Sequence, residues 1–448
     1  MADKLRELWV WMNGERVGTW LRGRTGAHRF VYEPSWLESP RTRPLSLSMP
    51  ITPDRTVTGP MVEHYFDNLL PDDERIRRRV ATRYKTGSTE ALELLRAIGR
   101  DCVGAVQLTP PDEEPEGFDR VDGAAMSDAD VERHLRGAVS EPGVGAQEDV
   151  DDFRISIAGA QEKSALLKVD GQWCRPLGAT PTTHILKLPL GLVGGRRLDL
   201  THSVQNEWLC AQFLKELGLP VAGTEMARFG DQLVLVVERF DRRWSTRAHD
   251  GQPWIARLPQ EDFCQVRGLH SREKYEVSGG PGMAQIVQVL LGSQAAQADV
   301  TNFLCAQLAF WFLAATDGHA KNFSLFVLPE GRYRMTPLYD VISLWPVIGK
   351  GPNHVPWPSA KLAMAVRSKS AHYVLQSILA RHWRVVAQKS GVPGVWGAML
   401  SLVERVQPAL EAVHASLPAD FPGRTAAAVF DGVRSQLKRW QHGVLAAL

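Results

Sequence analysis

Thr316-Asp317-Gly318-His319-Ala320-Lys321-Asn322 directly follows the apolar run Phe303 to Ala315, and this junction decides the fold. The run reads as a buried helix, and Gly318 reads as its terminator. Beyond it, Asp317-x-x-x-x-Asn322 has the spacing a phosphoryl-transfer loop requires. There a carboxylate must meet the attacking hydroxyl while an amide oxygen further on holds Mg²⁺. An Asp and an Asn at this distance also fall together by chance in turns, so the reading depends on what else the chain supplies.

Downstream, Met335-Thr-Pro-Leu-Tyr339 is an apolar approach to Asp340, the position of a second metal ligand. A Mg²⁺ that bridges phosphates needs hard oxygen donors, and Asp317, Asn322 and Asp340 are such a set. Upstream, Thr182-Thr-His-Ile-Leu-Lys187 reads as a strand in which Thr183, Ile185 and Lys187 share a face, so Lys187 can reach into a cleft. Glu207, on a predicted helix from Ser203 to Leu217 closed by Gly218 and Pro220, is placed to hold that lysine. The buried-strand run Leu233 to Val237 leads into Glu238-Arg-Phe240, whose backbone would meet adenine. Ser156-Ile-Ala158-Gly159-Ala160-Gln161-Glu-Lys163 is a small-residue stretch between strand-like runs, suited to bringing backbone N–H groups to phosphate oxygens, with Lys163 adding charge.

The 448 residues are enough for two or three folded units at roughly 150 residues each. Lys plus Arg is 52 and Asp plus Glu is 50, so no global polycation announces nucleic acid or membrane. No apolar stretch approaches the roughly 20 residues of a membrane span, so no membrane partner is expected. The five cysteines form no Cys-x-x-Cys pair, which points to a reducing, cytoplasmic setting rather than a disulfide framework. The N-terminal segment is predicted to be β-rich, with Leu8 to Met12 and Arg16 to Trp20 joined at Asn13-Gly14. Leu45, Leu47 and Met49 alternate with serines as a half-buried strand would. Helical patterning runs from about Met61 to Ile98 and carries the basic stretch Arg75 to Lys85, a solvated face or a nucleic-acid contact. The Pro-Pro and acidic composition of 111–152 marks a connecting segment between 1–110 and an ATP-binding α/β lobe at 153–245. A helical lobe at 246–448 follows, with helices over Leu375 to Val386 and Met399 to Val413.

Together these motifs resemble the HipA family, the serine/threonine kinase toxins of bacterial toxin–antitoxin modules. The resemblance spans nearly the whole chain, including Trp11-Met-Asn, Arg43-Pro-Leu-Ser-Leu-Ser, Phe66-Asp-Asn-Leu-Leu-Pro, Ile98-Gly-Arg-Asp, Glu238-Arg-Phe-Asp-Arg-Arg, Gly279-Gly-Pro-Gly, Thr316 to Asn322 and Leu362-Ala-Met. It implies an α/β (α+β), two-lobed fold like that of protein and phosphatidylinositol kinases, preceded by a β-rich subdomain. It implies Asp317 as catalytic base, Asn322 and Asp340 as Mg²⁺ ligands, Lys187 as the ATP-phosphate lysine, Glu238 and Phe240 as the adenine hinge, and Ser156 as the autophosphorylated serine. His319 is either part of the nucleotide site or a structural histidine. The implied partners are a helix-turn-helix, HipB-like antitoxin, operator DNA through that complex, and an aminoacyl-tRNA synthetase substrate, foremost the glutamyl enzyme. The alternative is a catalytically weak scaffold that serves as corepressor with its antitoxin.

Overall fold

The computed structural model describes residues 6–139, 161, 163–247 and 250–445. At the start, strands Arg6–Met12 and Glu15–Arg22 pair antiparallel around Asn13 and Gly14. Both turn residues have positive φ, 47° and 80°, as a type I′ turn demands. Strands His28–Tyr32 and Thr56–Thr58 extend this sheet on one side and Val106–Thr109 on the other. Helices Pro60–Asp67 and Ala91–Ile98 close its apolar face, where Trp20 stacks on Phe66 at 4.1 Å between ring centroids.

The second sheet has six antiparallel strands in the order Thr224–Phe229, Gln232–Glu238, His184–Lys187, Lys163–Val169, Gln172–Pro176 and Gly123–Ala125. Segment 111–152 is therefore more than a connection: Gly123–Ala125 completes this sheet, and Val131 and Leu135 of helix Asp128–Val139 enter its core. Helix Ser203–Glu216 packs on the other face and ends at Leu217, ahead of Gly218.

The C-terminal lobe is built around the helix Ala296–Leu313, which from Phe303 onward is buried on every side, with Val395–Ala415 and Gly423–Leu445 packed against it. A helix with no polar face is stable only when surrounded, each buried large apolar side chain contributing about 1.5–3 kcal/mol. The lobe holds more strand than its sequence pattern suggests. Short pairs such as Gln260–Asp262 with Ser324–Val327, and Lys361–Arg367 with Ala371–Val374, use alternations too brief to stand out from helical periodicity. The predicted helix from Leu375 is likewise displaced to Ala380–Lys389.

Three local expectations are corrected. The long helix ends not at Gly318 but at Ala314, a left-handed cap (φ 48°) whose N–H returns to the carbonyls of Phe310 and Trp311. Gly318 serves a close approach instead, since a Cβ there would lie 2.6 Å from the Phe310 ring. Leu45 to Met49 is not a strand, because Ser46 is as buried as its leucine neighbour and donates to Glu261 Oε2 at 2.5 Å, while Ser48 donates to the Gln265 carbonyl. The stretch Arg75 to Lys85 is not uniformly solvated: Arg78 is exposed, but Arg77 is buried and donates to Asp67 Oδ1 at 2.6 Å.

Candidate functional site

Lys187 ends the central strand of the six-stranded sheet, and its ammonium is buried between two carboxylates. Nζ donates to Glu207 Oε1 at 2.6 Å and to Asp340 Oδ1 at 2.7 Å. Burial disfavours its charge, but Asp340 and Glu207 outweigh that and raise its pKa well above the ordinary lysine value. Lys163 lies directly across the sheet from Lys187. Burial, opposed by Asp340 and aided by repulsion from Lys187, brings the Lys163 pKa down to about 8. The buried Lys187 and the half-buried Lys163 thus bring two ammonium groups to one recess, where they can meet phosphate oxygens.

Asp340 arrives from the other lobe. The chain before it is fixed by Ala222 N–H donating to the Leu338 carbonyl at 2.9 Å and Leu338 N–H donating to that of Pro220 at 2.8 Å. Asp340 itself has φ 61°, a left-handed conformation that few residues other than glycine adopt and that recurs at functional sites. Burial works against its ionisation, yet Lys187 and Lys163 hold its carboxyl well below the usual carboxylate range. Asn322 Nδ2 lies 3.4 Å from Asp340 Oδ2. Among the described residues no three His, Cys, Asp or Glu side chains converge as a metal cage, so the set at hand is one carboxylate and one amide. This set fits a hard cation: a half-turn of the Asn322 amide, losing only contacts of 3.3–3.5 Å, would turn its oxygen toward that of Asp340.

Asp317 stands at the mouth of the site with 68% of its side chain exposed and accepts a 2.5 Å hydrogen bond from the Tyr275 hydroxyl. The protein around it restricts its hydration and raises its pKa, against the pull of the Tyr275 bond and of Lys274. His319 is buried behind it with its ring edge-on to Tyr275, and its Nδ1 has no hydrogen-bond partner. Burial pushes its pKa down to about 3, so it is neutral. Its backbone N–H donates to the Asp317 carbonyl at 2.8 Å, which sets the turn of the loop. Lys321 points away from the cleft. It donates to Asn68 Oδ1 and Asp262 Oδ2, both at 2.8 Å, and so rivets the loop to the N-terminal subdomain.

Glu238 closes its strand with an exposed side chain, and its N–H donates to the Gly223 carbonyl. The Phe240 ring packs on Tyr339 and Phe326, in the seam beside Asp340. Gln161 donates to the Leu188 carbonyl at 2.6 Å. Ser156, Ala158, Gly159 and Ala160 lie outside the described residues. Sequence reasoning missed Tyr275, Lys274 and Asp72, which surround Asp317, and it missed the buried cluster in which Asp101 meets Arg239, Arg242 and Arg257. Motif fragments Ile98 to Asp101 and Glu238 to Arg243 contain three of these four residues, all but Arg257, but nothing local pairs them.

Comparison with known proteins agrees with this architecture. Residues 8–109 match the HipA N-terminal domain and residues 155–419 the HipA-like C-terminal domain. A relative from Sinorhizobium fredii, named putative kinase Y4mE, is 32% identical over 87% of this chain and 86% of its own length. The serine/threonine-protein kinase toxin HipA of Shewanella oneidensis is 27% identical over 70% of this chain and 69% of its own. The solved structure of HipA from Shewanella oneidensis, determined with HipB and its operator DNA, superposes with a TM-score of 0.77 at 23% identity, covering 98% of both chains. With a kinase-like, two-lobed body behind a β-rich subdomain, matched end to end in fold and in both domain families, the chain belongs to the HipA family.

Proposed function

We propose that this chain is an ATP- and Mg²⁺-dependent serine/threonine protein kinase and the toxin of a toxin–antitoxin pair. The observation that carries the reading is the buried Lys187 held between Glu207 and Asp340, with Asn322 against the second oxygen of Asp340. A kinase needs that lysine and glutamate paired before phosphates can be oriented. Here they are paired across strand and helix with no rearrangement required.

Lys187 and Lys163 bind the nucleotide phosphates, together with backbone N–H groups of the small-residue stretch Ala158 to Gln161, a role read from its sequence. Glu238 and Phe240 offer backbone groups to adenine. Asp340 and Asn322 would hold Mg²⁺, which would supply positive charge to offset that of the phosphates. Asp317 orients the substrate hydroxyl and accepts its proton as the phosphoryl group transfers. The neutral His319 buttresses the loop. Ser156 is the self-modified serine: phosphate adds about 1.5 to 2 negative charges beside a stretch that must hold ATP's own phosphates, which disfavours rebinding of nucleotide.

One relative is named a putative kinase and another a serine/threonine-protein kinase toxin, and the neighbouring structure holds an antitoxin and operator DNA. They support an antitoxin and operator DNA as partners here. A helix-turn-helix form for that antitoxin, and an aminoacyl-tRNA synthetase, foremost the glutamyl enzyme, as substrate, are what the family resemblance implies. Phosphoproteomic comparison of cells expressing this chain or its Asp317→Ala variant tests the proposal. The expected result is serine phosphorylation of a synthetase, growth arrest, and a phosphate on Ser156, all absent from the variant. Equal labelling by both proteins would remove Asp317 from the chemistry. Phosphate elsewhere than Ser156 would end the self-inactivation mechanism.

A further inference from the structure

Asp317 is the candidate base, yet within its own loop the side chain facing its carboxylate, the neutral His319, stands 3.9 Å away, beyond hydrogen-bond distance. The side-chain contact comes from a different segment. Tyr275 precedes the short helical turn Glu276–Ser278, and its hydroxyl donates to Asp317 Oδ1 at 2.5 Å. Its ring is held at right angles to the buried His319, 4.9 Å between centroids.

The segment bearing Tyr275 is fixed at both ends. Lys274 donates through Nζ to Asp72 Oδ2 at 2.8 Å, and its carbonyl accepts from Ala320 N–H in the catalytic loop. The Tyr275 carbonyl accepts from Ser278 and Gly280, and a Cβ on Gly280 would come within 2.3 Å of the Glu273 carbonyl oxygen. Glu276 accepts from Ala365 N–H at 2.6 Å and from Arg367 Nε at 2.9 Å. A tyrosine on so braced a turn has little freedom to follow a moving carboxylate. An otherwise exposed aspartate tied to it therefore loses most of its own rotamer freedom.

We infer that Tyr275 is a positioning residue for the phosphoryl transfer, holding one oxygen of Asp317 so that the other faces the substrate hydroxyl. This rests on the kinase reading above. A carboxylate has lone pairs enough to accept from both donors at once, so Tyr275 does not compete with the substrate. Aligning a reacting pair is worth large factors in rate even when no bond to the substrate is involved.

The test uses the full chain with Mg²⁺-ATP labelled on the γ-phosphate, following both self-labelling and transfer to dephosphorylated casein. Tyr275→Phe keeps the ring on His319 and removes only the hydroxyl. The expected result is a fall in kcat of about 10- to 100-fold with KM for ATP unchanged, matching the loss of a hydrogen bond to a charged group. The acid limb of the kcat profile should also move to higher pH, because the Tyr275 bond favours the ionised form of Asp317. The other charged or titratable groups facing that carboxylate, Lys274, His319, Asp340 and Asp72, are untouched by the substitution. Tyr275→Ala, which also strips the ring from His319, should be at least as slow. Wild-type kcat and an unmoved acid limb in Tyr275→Phe would overturn the inference. A faster Tyr275→Phe would overturn it too, making the tyrosine a gate on the base. A wild type that labels neither itself nor casein would overturn the kinase reading instead, so the two failures are distinct.

Discussion

At Asp340 a single carboxylate faces two alternative cations. It accepts from Lys187 at 2.7 Å, while Lys163 lowers its pKa further from across the recess. The Mg²⁺ role and the lysine role make different predictions for Asp340→Asn. Removing the charge should weaken binding of Mg²⁺-ATP roughly 10-fold or more while changing metal-free nucleotide binding little, because the lost charge faces the ion. Isothermal titration with and without Mg²⁺ measures both. Equal losses would assign Asp340 to fixing Lys187 alone. Asp317, Asn322, Asp340, Lys187 and Glu207 were all legible in the sequence because each lies in a local pattern: a polar loop after an apolar helix, a strand end, a helix closed by Gly218. Tyr275 was not, since its partner is 42 positions away and nothing in Lys274-Tyr-Glu-Val announces a bond to a carboxylate.

The clearest failure at the level of elements is the segment Leu45 to Met49, and it exposes a titrating contact between subdomains. Alternating Leu and Ser predicts a strand with a wet face, but here Ser46 is buried along with Leu45 and Met49, and Leu47 is half-buried like Ser48 beside it. Glu261 Oε1 accepts from Leu47 N–H at 2.9 Å and Oε2 from Ser46 Oγ. Burial, opposed by these bonds and reinforced by Asp262, pushes the Glu261 pKa up to about 8. The folded carboxyl thus keeps its proton across a range in which the unfolded chain has released it. The associated stability is fully present below the unfolded value of 4.5 and is lost as pH rises through about 8. Glu261→Gln should retain both contacts, with its amide donating to Ser46 and its oxygen accepting from Leu47. The variant should melt higher than wild type at pH 8.5, with the difference shrinking toward pH 5. Thermal melts of the two proteins across that range decide it, and parallel curves would mean that Glu261 is ionised in the native state.

Over the whole molecule, the N-terminal subdomain and the kinase-like body have separate apolar cores, bridged by Leu47, and a buried charge cluster joins them. Asp101, fully buried, accepts from Arg242 Nη2 at 2.9 Å and from Thr182 Oγ1 at 2.7 Å, with Arg239 and Arg257 each at 3.3 Å. Asp241 completes the cluster, binding Arg239 at 2.9 Å and accepting from Gly104 N–H at 2.7 Å. The turn residue Asn13 adds a reciprocal pair of hydrogen bonds to the Arg257 backbone. The shared motifs Trp11-Met-Asn, Ile98-Gly-Arg-Asp and Glu238 to Arg243 therefore meet at one place. Sequence pattern cannot show that, because Asp101 and Arg257 are 156 positions apart. Burial opposes the charge on Asp101, but Arg242, Arg239 and Arg257 outweigh it and hold the carboxyl far below the ordinary range, so it stays ionised at neutral pH. Asp101→Asn would leave three buried guanidinium groups facing the single charge of Asp241 and would turn an amide N–H toward one of them. Breaking a buried ion pair by removing one partner costs about 3–5 kcal/mol. That is far more than the 0–1 kcal/mol of a surface pair such as Arg6 with Glu93. Asp101→Asn should therefore lower the melting temperature by several degrees, whereas Glu93→Gln should leave it within a degree. Limited proteolysis of Asp101→Asn should release the N-terminal subdomain first, cutting between it and the six-stranded sheet. A variant that melts and cleaves like wild type would mean that the apolar seams hold the subdomain in place and that the cluster only sets its orientation.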